Sequence, residues 1–164
     1  MKNLLFLLLA VLTLTSCQEE LITELEQEQE IVIDNPILDL VNEVRTVDYV
    51  INGITYPAKD ALVWNSDLEK ISKIQTTHMD ENNDWCMVWE DGTDLSKRFE
   101  MVDCDYKPRF EGYVKMSTPT CPSKLAIDVL FKSYHEILMS EKYNIVAVTQ
   151  TGIYWSIVLA NKPT

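Results

Sequence analysis

From Asn35 onward the apolar residues of this chain recur at regular spacing, and no Pro/Gly/Ser-rich linker or internal repeat interrupts them. About 130 residues must therefore close around one core, a length that buries roughly two-thirds of its unfolded surface. Local patterns set the class. Asn35-Pro36 reads as a helix start, an amide cap followed by Pro at the first helical position, and Ile37, Leu38, Leu40, Val41 and Val44 share one face of that helix. Asp48-Tyr49-Val50-Ile51 and Ile54-Thr55-Tyr56 flank Asn52-Gly53, a hairpin signal because both turn positions need positive φ. Ser66 and Glu69 have the spacing of a capping box and open a second helix, with Leu68, Ile71, Ile74 or Gln75, and His78 or Met79 inward. A short helix is expected over Asp94 to Met101 and a strand over 110–117. A long helix from Pro122 to about Met139 should turn Leu125, Val129, Leu130, Tyr134, Ile137 and Leu138 inward. Ile145 to Thr149, a turn at Gly152 and Ile153 to Ala160 then form a β-hairpin. Helices and antiparallel strands in one run make the class α+β.

The first 34 residues stand outside this pattern. After Met1-Lys2-Asn3, the apolar run from Leu4 to Leu14 is too short to cross a hydrocarbon core of about 30 Å and reads as the apolar region of a signal peptide. Leu14-Thr15-Ser16-Cys17 resembles the bacterial lipobox. The resemblance implies a signal peptide over 1–16 and a lipidated Cys17 that makes the membrane a partner, since several acyl chains anchor far more firmly than one. Segment 18–34 is an acidic tether carrying Glu19, Glu20, Glu24, Glu26, Glu28, Glu30 and Asp34 without a Lys or Arg. Acidic residues after a lipidated Cys resemble the export signals of Bacteroidetes surface lipoproteins, which implies the outer membrane of a bacterial envelope and surface display. The chain's net charge of -12 owes more than half to this tether. Such an excess of acid excludes nucleic acid as a partner, because phosphate binding needs clustered Lys and Arg.

Four phrases in 35–164 carry a second resemblance. Leu38-Asp39-Leu40-Val41-Asn42-Glu43-Val44-Arg45 has the form Leu-x-x-x-Asn-x-x-Arg, and Leu62-Val63-Trp64-Asn65-Ser66-Asp67-Leu68 the form Leu-x-Trp-Asn-x-x-Leu. Met79-Asp80-Glu81-Asn82-Asn83 is close to Met-x-x-Asn-Asn, and Tyr154-Trp155 precedes the apolar Ile157-Val158-Leu159. In this order they resemble the CAP superfamily (cysteine-rich secretory proteins, antigen 5 and pathogenesis-related proteins) in its bacterial SCP-like form. The resemblance implies an α-β-α sandwich with a small antiparallel sheet between helical layers, and makes the hairpin at 48–56 an elaboration.

Family members with an intact cleft bring two His and acidic residues together to hold a divalent metal, a donor set that suits zinc-like ions. Here the first His position falls on Met87, and the Gly-Glu-Asn phrase is represented by Phe110-Glu111-Gly112, which keeps Glu111. The second His position falls on Tyr134 in an ungapped alignment and on His135 after a one-residue shift. The resemblance therefore implies a degenerate cleft of Trp85, Met87, Trp89, Glu111, Tyr134 and His135, with no metal or cofactor, that binds a protein, glycan or lipid without catalysis. The aromatic set Trp85, Trp89, Tyr106, Phe110 and Tyr113 surrounds the same segment and suits such a ligand. The competing reading is an extracytoplasmic hydrolase using Glu111 and His135, perhaps metal-assisted. His78 lies away from these positions and reads as structural. Cys86, Cys104 and Cys121 are an odd set in an oxidising compartment, which predicts one disulfide and one free thiol, any of the three pairings closing a plausible loop. Cys86 with His135 is a candidate nucleophile pair should the cleft assemble.

Overall fold

The computed structural model describes residues 35–107 and 109–163. The expected signal peptide, Cys17 and the acidic tether lie outside the described residues. Helix α1 (Pro36–Arg45) starts as its cap predicts, with Asn35 Oδ1 accepting from the amides of Ile37 and Leu38. Strands β1 (Tyr49–Ile51) and β2 (Ile54–Tyr56) pair around Asn52 and Gly53, at φ 53° and 77°. After β3 (Val63–Trp64) comes α2 (Ser66–Asn82), whose cap is Asn65 rather than Ser66. Asn65 Oδ1 accepts from the amides of Asp67 and Leu68, while Glu69 leaves the expected capping box and accepts from the Trp64 indole at 2.9 Å. Helix α3 (Leu95–Met101), strand β4 (Arg109–Lys115), helix α4 (Ser123–Leu138) and strands β5 (Ile145–Thr151) and β6 (Tyr154–Ala160) follow.

The main sheet has the order β3-β5-β6-β4, antiparallel except for β3, which runs parallel to β5. Alternation along the strands divides the core. Val114, Val146, Val148, Trp155, Ile157 and Leu159 pack with Val41, Leu130, Phe131 and Leu138 of α1 and α4. On the other face Ile145, Ala147, Val158 and Ala160 pack with Leu68, Ile71 and Phe99 of α2 and α3. The result is the α-β-α sandwich that the resemblance implied. Strands β5 and β6 are covered on both faces, so they read as continuous apolar runs rather than alternating ones.

Two details correct the sequence reading. In α4 the buried residues are Ala126, Ile127, Leu130, Phe131 and Leu138, whereas Leu125 is 49% exposed. The helix breaks at Tyr134 (φ -130°, ψ 23°), so no single 3.6-residue stripe runs through it. Leu-x-x-x-Asn-x-x-Arg, in turn, is a clamp on the backbone. The Asn42 amide exchanges two bonds with the backbone of Leu62, at 2.9 and 3.0 Å. The Arg45 guanidinium is buried and donates to the carbonyls of Asp60, Leu138, Ser140 and Tyr143.

Candidate functional site

Glu111 and Tyr113 point from β4 toward α2 and α3, while Phe110 packs on the opposite face and Gly112 turns its Cα there, beneath Tyr134. One carboxylate oxygen of Glu111 accepts from Arg98 Nη2 and from the Tyr113 hydroxyl, and the other accepts from Ser156 Oγ at 3.3 Å. Arg98 comes from α3, and the pair is almost sealed, with the Arg98 side chain 0% and that of Glu111 2% exposed. Burial pushes the Glu111 carboxyl above its ordinary range against the opposing pull of Arg98. Burial first, and the Glu111 charge second, also push the Tyr113 phenol up. Arg98 Nε and Nη1 have no acceptor among the described residues, and the Trp89 ring centroid lies 5.8 Å from Cζ. A cleft of about 290 Å³ opens beside the pair, walled by Met87, Val88, Leu95 and Phe110.

This arrangement does not fit the divalent metal of intact family clefts. Both Glu111 oxygens are engaged, and a guanidinium already stands where a second positive charge would be repelled. No group of three His, Cys, Asp or Glu side chains converges among the described residues. Met87, at the first His position, is 65% exposed and supplies a thioether.

The structure does not bring Glu111 and His135 together. His135 packs against the β1–β2 hairpin, its ring edge-on to Tyr56 at 4.9 Å and near Tyr49 at 6.5 Å. Tyr49 in turn packs on Phe131 in the α1/α4 layer, so the sheet stands between His135 and the Glu111 carboxylate. Tyr134 is on that same layer. Its ring lies over Gly112, where a Cβ would come within 2.8 Å of it. Its hydroxyl accepts from Tyr113 N–H at 3.2 Å and donates to Tyr113 C=O at 3.1 Å. Trp85 is 56% exposed and is absent from the cleft wall. Trp89 instead stacks on His78 and donates to Gln75 Oε1 at 2.8 Å.

All three described cysteines are free thiols, where the sequence predicted one disulfide. Cys104 belongs to the α2/α3 layer and Cys121 packs in the α1/α4 layer, so the sheet separates them. Cys86 precedes Met87 in the loop after α2, where burial and a hydrogen bond with Asp84 push its thiol up to about 11. That shift disfavours the thiolate a nucleophile needs, and the Cys86–His135 pair does not form. Arg98 is the functional residue that sequence reasoning missed. It follows Lys97 in a seven-residue helix and carries the signature of a solvated face, because its partner comes from another element.

No family model matches the sequence, and no curated protein matches it either. Solved structures do. An extracellular protein containing an SCP domain from Bacillus anthracis str. Ames superposes with a TM-score of 0.60 at 15% identity, over 77% of this chain and 39% of that one. An outer surface protein from Borrelia burgdorferi gives a TM-score of 0.61 at 14% identity, over 77% of this chain and 90% of that one. A cysteine-rich secretory protein from Staphylococcus aureus subsp. aureus Mu50 gives 0.55 at 19% identity, over 80% and 40%. The chain thus spans about two-fifths of the length of the Bacillus and Staphylococcus proteins. At these identities the likeness establishes the fold, and that fold is the SCP or CAP sandwich.

Proposed function

We propose that this chain is an extracytoplasmic, lipid-anchored binding domain of CAP fold, which acts without catalysis on a protein, glycan or lipid of the cell envelope. The observation that carries this reading is the Arg98–Glu111 pair. Arg98 supplies from within the protein the positive charge that a metal supplies in intact clefts, and Glu111 is left without a free oxygen or a neighbouring imidazole. A general acid or base must reach the proton it moves, and this carboxylate is sealed behind its own partners. Location is supported by the lipobox resemblance at Cys17 and by structural neighbours described as extracellular or as an outer surface protein.

Two measurements test it. Calorimetric titration of the full chain with zinc should show no site tighter than about 1 mM, and a micromolar site lost on Glu111→Gln overturns the closed-cleft reading. Cell fractionation should move the Cys17→Ala chain from the membrane to the soluble fraction, and unchanged membrane association refutes the lipid anchor.

A further inference from the structure

Two cavities meet at one aromatic pair on the outer side of α2. The rings of His78 and Trp89 stack at 3.9 Å and 8°. Both line a cavity of about 740 Å³ with Asn82, Asn83, Asp84 and Asp91, and both line a second of about 540 Å³ with Lys70, Lys73 and Ile74.

Trp89 is not a core residue. It belongs to none of the apolar clusters of the described residues, and its neighbours His78, Gln75 and Arg98 are polar. Gln75 is fully buried and spends both ends of its amide on this loop, accepting from Trp89 Nε1 and donating to the Cys86 carbonyl at 2.7 Å. The loop is braced further by Trp89 N–H to Thr93 C=O and Gly92 N–H to Trp89 C=O, both 2.9 Å, and by Thr93 N–H to Asp91 Oδ1 at 2.8 Å. A buried amide that holds a half-exposed indole adds nothing to core packing. It does fix an aromatic surface before a ligand arrives, which lowers the ordering cost of binding.

We propose that this groove binds an uncharged oligosaccharide, one pyranose lying against the His78–Trp89 pair. This rests on the binding reading above and assigns it a ligand class and a place. A pyranose offers an apolar C–H face to an aromatic surface and hydroxyls that both donate and accept. The larger cavity answers with amides from Asn82 and Asn83 and with carboxylates from Asp84, Glu90 and Asp91. It has no Lys or Arg in its wall to recruit an anionic ligand. In the second cavity Lys70 is paired with Asp67, and Lys73 donates to the Gln150 carbonyl and the Thr151 hydroxyl. Neither side of the groove therefore selects for a negative ligand.

The test titrates triacetylchitotriose and cellotriose into the full chain carrying Cys17→Ala, read by calorimetry and by the indole N–H signals of the tryptophans. At least one trimer should bind saturably and shift the Trp89 signal. Trp89→Ala and His78→Ala should each weaken it about tenfold, Trp89→Phe less, and Val50→Thr on the distant hairpin not at all. Asp91→Asn with Glu90→Gln keeps the hydrogen-bonding groups and removes two charges, so affinity should stay within about threefold. Absence of saturable binding by both trimers overturns the proposal, as does binding that survives Trp89→Ala and His78→Ala. Loss of binding in the charge-neutralised double variant overturns it in favour of a cation site. Cleavage of a bound trimer that stops with Glu111→Gln defeats the non-catalytic reading and leaves the groove assignment standing.

Discussion

Removing one member of the Arg98–Glu111 pair should cost far more than removing the whole polar cluster. Arg98→Met strands a carboxylate whose side chain is 2% exposed and leaves it only Tyr113 and Ser156. Breaking a buried pair from one side costs about 3–5 kcal/mol. The intact pair is itself an inefficient solution, because Arg98 buries Nε and Nη1 without acceptors. Each such orphan costs about 1–3 kcal/mol. Arg98→Met with Glu111→Leu and Tyr113→Phe abolishes the charges and the orphans together. That triple variant should lie within about 1 kcal/mol of the wild type or exceed it by about 1–4 kcal/mol. Urea unfolding at matched m-values is the assay.

The pH dependence of the same pair gives an independent check. The folded Glu111 carboxyl titrates above its unfolded value, so its contribution is complete below the ordinary carboxylate range near about 4.3 and declines as pH rises through the folded value. Other groups are common to both proteins and cancel in the comparison, so the wild type should lose stability relative to the triple variant as pH rises across that window. A triple variant as unstable as Arg98→Met, or a wild type that gains on it with rising pH, refutes the reasoning.

Arg45→Lys keeps the charge but replaces a fork that reaches four carbonyls with a single ammonium, and should cost about 2–3 kcal/mol in urea unfolding. Gly112→Ala drives a methyl to 2.8 Å from the Tyr134 ring and 3.2 Å from Phe110. A loss of about 1–3 kcal/mol is expected by thermal denaturation, and a loss below about 0.5 kcal/mol would mean the Tyr134 ring gives way freely. In the Cys17→Ala chain, alkylation after unfolding without reductant should add three groups by intact mass, one each at Cys86, Cys104 and Cys121. In the folded protein, labelling of Cys86 should keep rising with pH up to about 11, whereas a plateau near neutrality would contradict the raised thiol value.

Elements with a local signature were legible in the sequence, and those whose cause is a distant partner were not. Asn35-Pro36 and Asn52-Gly53 carry their geometry in two adjacent residues, and both appear where the sequence placed them. Strand β3 has only two residues, too few to show a period, and exists because Val63 N–H and Asn65 N–H meet the carbonyls of Asn144 and Val146. The choice between Tyr134 and His135 stayed open for a related reason. A break in the helix at Tyr134 lets that ring settle on Gly112, and no repeat carried through α4 can report a break of its own phase.

The same contrast explains how a chain can keep a frame and lose its chemistry. Asn42, Arg45 and Asn65 bond to backbone groups, which every sequence supplies, so their phrases survive among strongly altered neighbours. A metal cleft instead needs several particular side chains to converge on one point. Of the positions for that set, Met87 projects into solvent, Tyr134 binds backbone on the wrong side of the sheet, and Glu111 is neutralised from within by Arg98. The two histidines that remain face aromatic rings, His78 on Trp89 and His135 on Tyr56. Both serve as flat rings rather than as bases or metal ligands, and of the two, only His78 stands at the junction of two cavities with amide and carboxylate side chains in reach.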